Sequence, residues 1–183
     1  MYQEPKHIYS SYNYNNIGKT IYDIVIELKP KIIIDFGLLY GYSTICLAQA
    51  VKDNGFGHIT GYDLFEDYKF KNSTKSIVEL NLKYYNLDSY VTFIKKDFNE
   101  WLNEDEDFDL LHLDISNNGD IIQKIYEKYP NKHIIFEGGT LERDNISWMK
   151  QYSFTPITNK KPITNYTILN PNFPGLSGIN IQK

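Results

Sequence analysis

The sequence has 183 residues, of which 42% are hydrophobic and 15% aromatic, and its formal net charge is −4. This length and composition indicate a single globular domain over residues 1–183 and exclude a largely disordered chain. The acidic balance disfavours a nucleic-acid interface, no apolar run reaches the length of a membrane span, and the lone cysteine and the polar start predict a cytoplasmic protein without disulfides.

Apolar periodicity and turn residues predict alternating helices and strands along the chain. The predicted strands cover residues 32–35, 58–63, 91–94, 108–114, 133–136, 166–169 and 177–182. The predicted helices cover residues 17–28, 43–51, 73–85, 120–129 and 144–152. Strands that alternate with helices form a parallel sheet with right-handed crossovers. The sequence therefore predicts an α/β fold, in which five such units precede a closing pair of strands.

Two helix starts and one helix face follow from local patterns. Ser73 and Asp120 have side chains that can accept from the free N–H groups of a helix start, so each is expected to cap a helix. An apolar face is predicted on the first of these two helices. Its members are Ile77, Leu80 and Tyr84.

The segment from Ile32 to Thr44 is the most informative part of the chain. Three β-branched residues run into Asp35, and Gly37 and Gly41 follow, four positions apart, before a helical stretch. A buried strand, a glycine turn and a helix N-terminus form the crossover at which α/β folds bind nucleotide-like ligands. The spacing differs from the dinucleotide fingerprint Gly-x-Gly-x-x-Gly.

This segment resembles motif I of class I S-adenosylmethionine-dependent methyltransferases, (Asp/Glu)-x-Gly-x-x-x-Gly-x-(Ser/Thr). The matching residues are Asp35, Gly37, Gly41 and Ser43. The resemblance extends over nearly the whole chain and is nearest to small-molecule and sugar O-methyltransferases. It implies a Rossmann-like sheet of seven mostly parallel strands with an antiparallel last strand and helices on both faces.

The resemblance also implies a set of cofactor contacts. Asp35 would contact the methionine ammonium, and Asp63, which ends the second strand, would accept hydrogen bonds from the ribose hydroxyls. Leu64 and Phe65, which follow Asp63, would pack on the adenine. Asp97 and Phe98 would read the adenine ring, although Asp97 can equally cap a short helix. Asp35, Asp63, Asp97 and Asp114 each end a predicted strand, and ligands of such sheets bind at that edge.

Two carboxylates are the candidates for chemistry. Asp114 and Glu137 end the fourth and fifth predicted strands, and either can act as a general base or orient an acceptor hydroxyl. Metal-using relatives add two acidic or amide residues after the fifth strand, where this chain has Glu137 followed by Gly138. Asn117 or Asn118 could add an oxygen ligand. We expect a metal-independent enzyme, with a divalent cation as the less favoured alternative.

Other polar residues allow two interpretations each. Residues 1–16, with His7 and several tyrosines, either lie across the acceptor pocket or form a disordered or interface-forming terminus. Arg143, the only arginine, either clamps an anionic substrate or pairs with Glu142 or Asp144.

The leading hypothesis is an enzyme that methylates a hydroxyl of a small molecule, such as a sugar or a natural-product intermediate, using S-adenosylmethionine and releasing S-adenosylhomocysteine. The alternatives are another group transfer on the same fold, for example aminopropyl transfer, or a non-catalytic cofactor-binding subunit. We expect a small-molecule substrate, neither a nucleic-acid nor a membrane partner, and leave a homo-oligomer open.

Overall fold

Helices and strands alternate along the first 109 residues, which form one of two compact units of the chain. The computed structural model describes residues 1–69, 73–116, 118–159 and 166–181. The described part of residues 1–109 contains helices α1 (Ile17–Leu28), α2 (Tyr42–Asn54), α3 (Lys75–Tyr84) and α4 (Phe98–Leu102), and strands β1 (Ile32–Phe36), β2 (His58–Asp63) and β3 (Val91–Lys95). Strands β1 and β2 pair in parallel, and so do β2 and β3.

The second unit, residues 110–183, ends in antiparallel strands. Its described residues form helices α5 (Gly119–Lys128), α6 (Leu141–Asp144) and α7 (Ser147–Gln151), and strands β4 (Leu110–Leu113), β5 (His133–Glu137), β6 (Tyr166–Asn170) and β7 (Leu176–Ile179). Strands β4 and β5 are parallel, whereas β7 runs antiparallel to both β5 and β6.

The strands of the first unit lie in the order β3-β2-β1, and those of the second unit in the order β4-β5-β7-β6. The last strand of the chain, β7, is therefore inserted antiparallel between β5 and β6. This topology confirms the predicted Rossmann-like class with a mostly parallel sheet. None of the helices in the described part of the chain is long and apolar enough to cross a membrane.

Buried apolar residues explain where most elements form. Helix α1 buries Ile17, Ile21, Ile24 and Val25 at helical spacing, as the pattern predicts. Strand β4 is buried along its whole length, and its His112 is fully buried. Cys46 is likewise buried inside α2.

Several local predictions were wrong. Thr74, and not Ser73, caps α3, and Asn118, and not Asp120, caps α5. The predicted helix over residues 144–152 is two short helices, α6 and α7. The last strand is also shorter than predicted, and residue 182 lies outside the described residues.

The predicted apolar face of α3 was also wrong. Leu80 and Tyr84 are 64% and 69% exposed, and Ile77 is exposed too. Val78 and Leu82 face the core instead. The two sets are both apolar and differ by one or two positions, so periodicity alone could not choose between them.

Gly41 and Gly55 bound α2 at its two ends, both with left-handed backbones, φ 86° and 77°. A Cβ at position 41 would lie 3.0 Å from Val78 Cγ1, whereas a Cβ at position 55 would meet nothing within 4 Å. The two glycines therefore share the backbone requirement and differ in the space around them.

This pair generates a prediction about stability. We expect Gly55→Ala to lower the free energy of unfolding by about 1 kcal/mol through backbone strain alone. Gly41→Ala should cost more, because the added methyl group also crowds Val78. Urea denaturation of the two variants measures the difference, and equal losses would contradict the crowding at position 41.

Candidate functional site

The loop between β1 and α2 has an unusual backbone. Gly37, Leu39 and Gly41 all have positive φ, at 85°, 48° and 86°. The Gly41 amide donates to the Leu38 carbonyl oxygen at 2.6 Å, which closes the turn. Among the described residues no side chain caps α2, so the N–H groups of its first turn are available to a ligand. A helix start of this kind suits a carboxylate or another anion.

Asp63 ties this loop to the end of β2. One of its carboxylate oxygens accepts from the Leu38 N–H at 2.7 Å, and the other accepts from the Phe65 N–H at 2.7 Å. The pairing of β1 with β2 explains why the Asp63 side chain reaches the loop. Phe36 pairs with Tyr62, and the Gly37 amide also donates to the Tyr62 carbonyl oxygen. Asp63 thus lies one residue beyond the last pair, beside the glycine loop.

Asp35 is completely buried below the loop. Its Oδ2 accepts from Thr44 Oγ1 at 2.6 Å and, more weakly, from Ser43 Oγ at 3.4 Å. A buried carboxylate needs such hydrogen bonds to offset its lost hydration. The acid of the predicted motif therefore fixes the first turn of α2 to the end of β1.

The candidate adenine residues after β2 and β3 divide between half-buried and buried positions. Leu64 is half-buried, whereas Phe65 is buried with its ring centroid 6.4 Å from that of Phe93. Asp97 caps α4 by accepting from the Asn99 N–H at 2.8 Å, so the helix-cap interpretation is confirmed. Phe98 is buried edge-on against Phe36.

Asp114 and Glu137 occupy neighbouring strand ends in the second unit. Leu113 of β4 pairs with Phe136 of β5, and Asp114 and Glu137 directly follow these two residues in the sequence. Asp114 is partly exposed, whereas Glu137 is 8% exposed.

Glu137 forms a buried ion pair with Arg143, the third residue of the short helix α6. Its Oε1 accepts from Arg143 Nε at 2.8 Å and from Nη2 at 2.5 Å. The predicted pairing of this arginine with Glu142 or Asp144 was therefore wrong. Asp144 instead accepts from the Thr158 backbone N–H and hydroxyl. The Arg143 guanidinium also lies over the Trp148 ring, 4.7 Å from its centroid.

Among the residues that the structure describes, the donor set expected of a metal site does not assemble around Glu137. The Glu137 oxygen is shared with a cation, and Gly138 offers no side chain. Asn117 lies outside the described residues, and the side-chain oxygen of Asn118 caps α5. No group of three His, Cys, Asp or Glu side chains in the described ranges is arranged to hold a metal ion.

Residues 1–16 pack against α2 and the glycine loop. The Gln3 N–H donates to Gln49 Oε1 at 2.6 Å, and Gln49 Nε2 donates to the Gln3 carbonyl oxygen at 2.8 Å. The Tyr9 ring lies edge-on to that of Tyr40 in the loop. The interpretation of this segment as a disordered terminus was therefore wrong.

Sequence reasoning missed three contributors to this part of the molecule. Thr44 is the stronger partner of Asp35, and Leu38 supplies the amide that Asp63 accepts from. Gly61 admits Leu38 and Phe93, because a Cβ there would lie 3.1 Å and 3.0 Å from their side chains. A glycine inside a predicted strand is a signal of such a close approach.

The strand–loop–helix crossover with an acid at the next strand end is characteristic of α/β proteins that bind nucleotide-like ligands. The chain belongs to the methyltransferase-domain family, because the sequence model of that family matches residues 34–146. No curated protein sequence matches the chain.

Solved structures of methyltransferases share the fold. The chain is 16% identical to the Podospora anserina methyltransferase PaMTH1 bound to SAH, with a TM-score of 0.61, over 91% of this chain and 78% of that one. It is 22% identical to an O-methyltransferase from Bacillus cereus in complex with SAH, with a TM-score of 0.54, over 72% and 60% of the two chains.

A third structure is TomG, an O-methyltransferase from Streptomyces achromogenes in complex with SAM. The identity is 16% and the TM-score 0.53, over 69% of this chain and 57% of that one. This chain therefore spans about 60% of the length of two of these three enzymes.

The bonds to Asp35 generate a second prediction. We expect Thr44→Val to lower the free energy of unfolding by about 1–3 kcal/mol, because it removes a short hydrogen bond from a buried carboxylate. Ser43→Ala is the matched control and should cost less, since the Ser43 contact is 3.4 Å long. Urea denaturation measures both, and a larger loss for Ser43→Ala would show that the ranking of the two hydroxyls is wrong.

Proposed function

We propose that the protein is an S-adenosylmethionine-dependent methyltransferase that acts on a hydroxyl group of a small molecule. Membership of the methyltransferase-domain family supports the reaction class. The observation that carries the cofactor assignment is the Asp63 carboxylate, which lies next to the glycine loop and the uncapped start of α2.

The residues of the first unit fit the parts of this cofactor. The N–H groups at the start of α2 suit the methionine carboxylate. Each oxygen of Asp63 accepts one backbone N–H, and a carboxylate has about four acceptor sites, so two remain for ribose hydroxyls. Leu64, Asp97 and the Phe98 backbone are assigned to the adenine. The buried Asp35 acts through the loop, by holding the Ser43 and Thr44 hydroxyls.

The second unit supplies the candidate residues for the acceptor. The cofactor provides a methyl group already activated on a sulfonium, so the protein needs to orient the acceptor hydroxyl and help remove its proton. Asp114, partly exposed at the end of β4, is proposed for this role. Glu137 was predicted beside it, but its pairing with Arg143 supports a role in fixing the guanidinium.

Three observations support the hydroxyl of a small molecule as the methyl acceptor. Two of the similar structures described above are O-methyltransferases. The net charge of −4 does not favour a nucleic-acid substrate. The third is the partly exposed carboxylate of Asp114 at the end of β4, which can orient an acceptor hydroxyl. No structural feature specifically favours aminopropyl transfer or a non-catalytic subunit.

A third prediction tests the cofactor and the ribose contact together. Calorimetric titration of the wild-type protein should show binding of S-adenosylhomocysteine, and weaker binding of its 2′,3′-dideoxy analogue. In Asp63→Ala the two ligands should bind equally, because the carboxylate that reads the hydroxyls is gone. Loosening of the loop in this variant affects both ligands alike and therefore cancels in the comparison.

Asp67→Ala is the control, because Asp67 is exposed on the same turn and pairs with Lys95. It should retain the preference for the natural ribose. If Asp63→Ala still binds S-adenosylhomocysteine more tightly than the dideoxy analogue, the ribose assignment is wrong. If the wild-type protein binds neither ligand, the proposed function is wrong.

A fourth prediction concerns metal. Adding Mg²⁺ to protein treated with a chelator should leave its melting temperature unchanged, because Arg143 already neutralises Glu137. Glu137→Gln should lower the free energy of unfolding by about 3–5 kcal/mol, since it leaves the buried guanidinium without its charge partner.

The exposed neighbour Glu142 provides the control, and Glu142→Gln should have little effect. Thermal melts with and without Mg²⁺ measure the first effect, and urea denaturation the second. A rise in melting temperature with Mg²⁺ that is lost in Glu137→Gln would instead assign Glu137 to a metal site.

A further inference from the structure

A group of polar side chains joins the N-terminal segment to the first turn of α2. Glu4 accepts from two phenols: Tyr2 Oη donates to its Oε2 at 2.5 Å, and Tyr42 Oη donates to its Oε1. Tyr42 is the first residue of α2 and follows Gly41 directly. The Glu4 carboxylate therefore binds the first residue of α2, the helix at whose start the cofactor is proposed to bind.

The surroundings of these three residues are built for this contact. A Cβ at Gly18 of α1 would lie 2.5 Å from Tyr42 Oη and 2.6 Å from Tyr2 Oη, so only glycine lets α1 close over the two phenols. Tyr42 is 2% exposed. Its ring is edge-on to that of the buried Tyr12, with centroids 6.1 Å apart.

The two phenols stay protonated and donate to Glu4. Burial raises the pKa of Tyr42 and of Tyr2 well above the usual value for a phenol, and the nearby Cys46 and the hydrogen bonds to Glu4 add to the rise. Two phenol donors therefore converge on one carboxyl group, one on each of its oxygens.

We propose that Glu4 is a positioning residue for the cofactor: through Tyr42 it fixes the start of α2 and the glycine loop of residues 37–41. The inference rests on the proposed function and adds to it a role for the N-terminal segment that motif I does not contain. Gly41, with its positive φ, directly precedes Tyr42, so the hydrogen bond from Tyr42 to Glu4 restrains the residue at which the glycine loop becomes helix α2. Glu4 touches no reacting group.

Four variants separate positioning from simple anchoring of the segment. Glu4→Ala and Tyr42→Phe each break the link, and Glu4→Gln keeps an oxygen that can accept from Tyr42. Gln49→Ala is the matched control, because it releases Gln3, the residue next to Glu4, and leaves the Glu4–Tyr42 bond in place.

Calorimetry with S-adenosylhomocysteine is the first measurement. Glu4→Ala and Tyr42→Phe should each weaken binding about tenfold, within the usual range for coupled sites. The double variant should bind about as weakly as either single variant, because both remove the same link. Glu4→Gln should recover most of the affinity, and Gln49→Ala should bind like the wild type.

Hydrogen–deuterium exchange without ligand is the second measurement, and it does not depend on the proposed function. Exchange of the amides of residues 37–44 should quicken in Glu4→Ala and Tyr42→Phe and stay unchanged in Gln49→Ala. If the wild-type protein binds no S-adenosylhomocysteine, the proposed function fails, while the exchange result still decides whether Glu4 positions the loop.

Two results would overturn the positioning role. One is an equal loss of affinity in Glu4→Ala and Gln49→Ala, which would mean that the segment only needs to be attached. The other is a lowered melting temperature in Glu4→Ala with unchanged exchange and affinity, which would make the contact purely structural. If Glu4→Ala does not fold, Tyr42→Phe and Glu4→Gln decide between the same outcomes.

Discussion

The bond between Asp63 and the Leu38 amide is the constraint on which the candidate cofactor site depends. It joins the end of β2 to a loop in which every second residue from Gly37 to Gly41 has a positive φ. Such a loop has little regular hydrogen bonding of its own, so side chains must hold it. Asp63 holds it from the sheet, and Asp35 holds the helix that follows through Thr44. Asp63 therefore binds the protein's own backbone, and Asp35 binds two of its hydroxyl side chains, so both acids have partners within the protein.

These partners within the protein change how the acids of the predicted site are understood. From sequence, an acid at a strand end is a ligand contact. In the structure, Asp97 also caps a helix, and Glu137 is bound to a guanidinium. A carboxylate with several acceptor sites can serve a backbone amide and a ligand at once, as Asp63 can, whereas a buried carboxylate paired with arginine is far less free to act as a base. Among the carboxylates of the second unit, Asp114 is the better candidate for chemistry.

The sequence allowed the sheet and its strand ends to be predicted, because strand periodicity, glycine turns and prolines are local signals. The parallel strands of each unit and the antiparallel insertion of β7 follow from that pattern and the family resemblance. The failures are of another kind. The cap of α3 moved from Ser73 to its neighbour Thr74, which has the same chemistry. The partner of Arg143 lies six positions away, at the end of β5, and competed with two acids adjacent in sequence. Tertiary packing decides such choices, and one sequence does not record it.

The N-terminal segment shows most clearly why a motif is not a complete description of a site. Motif I covers residues 35–43, and nothing in its spacing points to Glu4. The contact between Glu4 and Tyr42 depends on the tertiary structure, because Gly18 of α1 has to leave room for the phenols of Tyr2 and Tyr42. A glycine inside a helix costs about 1 kcal/mol relative to alanine, and its presence at this position is accounted for by that close approach. The glycine loop and the helix start that follows it are thus contacted by residues on both sides of them in the chain, Glu4 through Tyr42 and Asp63 through the Leu38 amide.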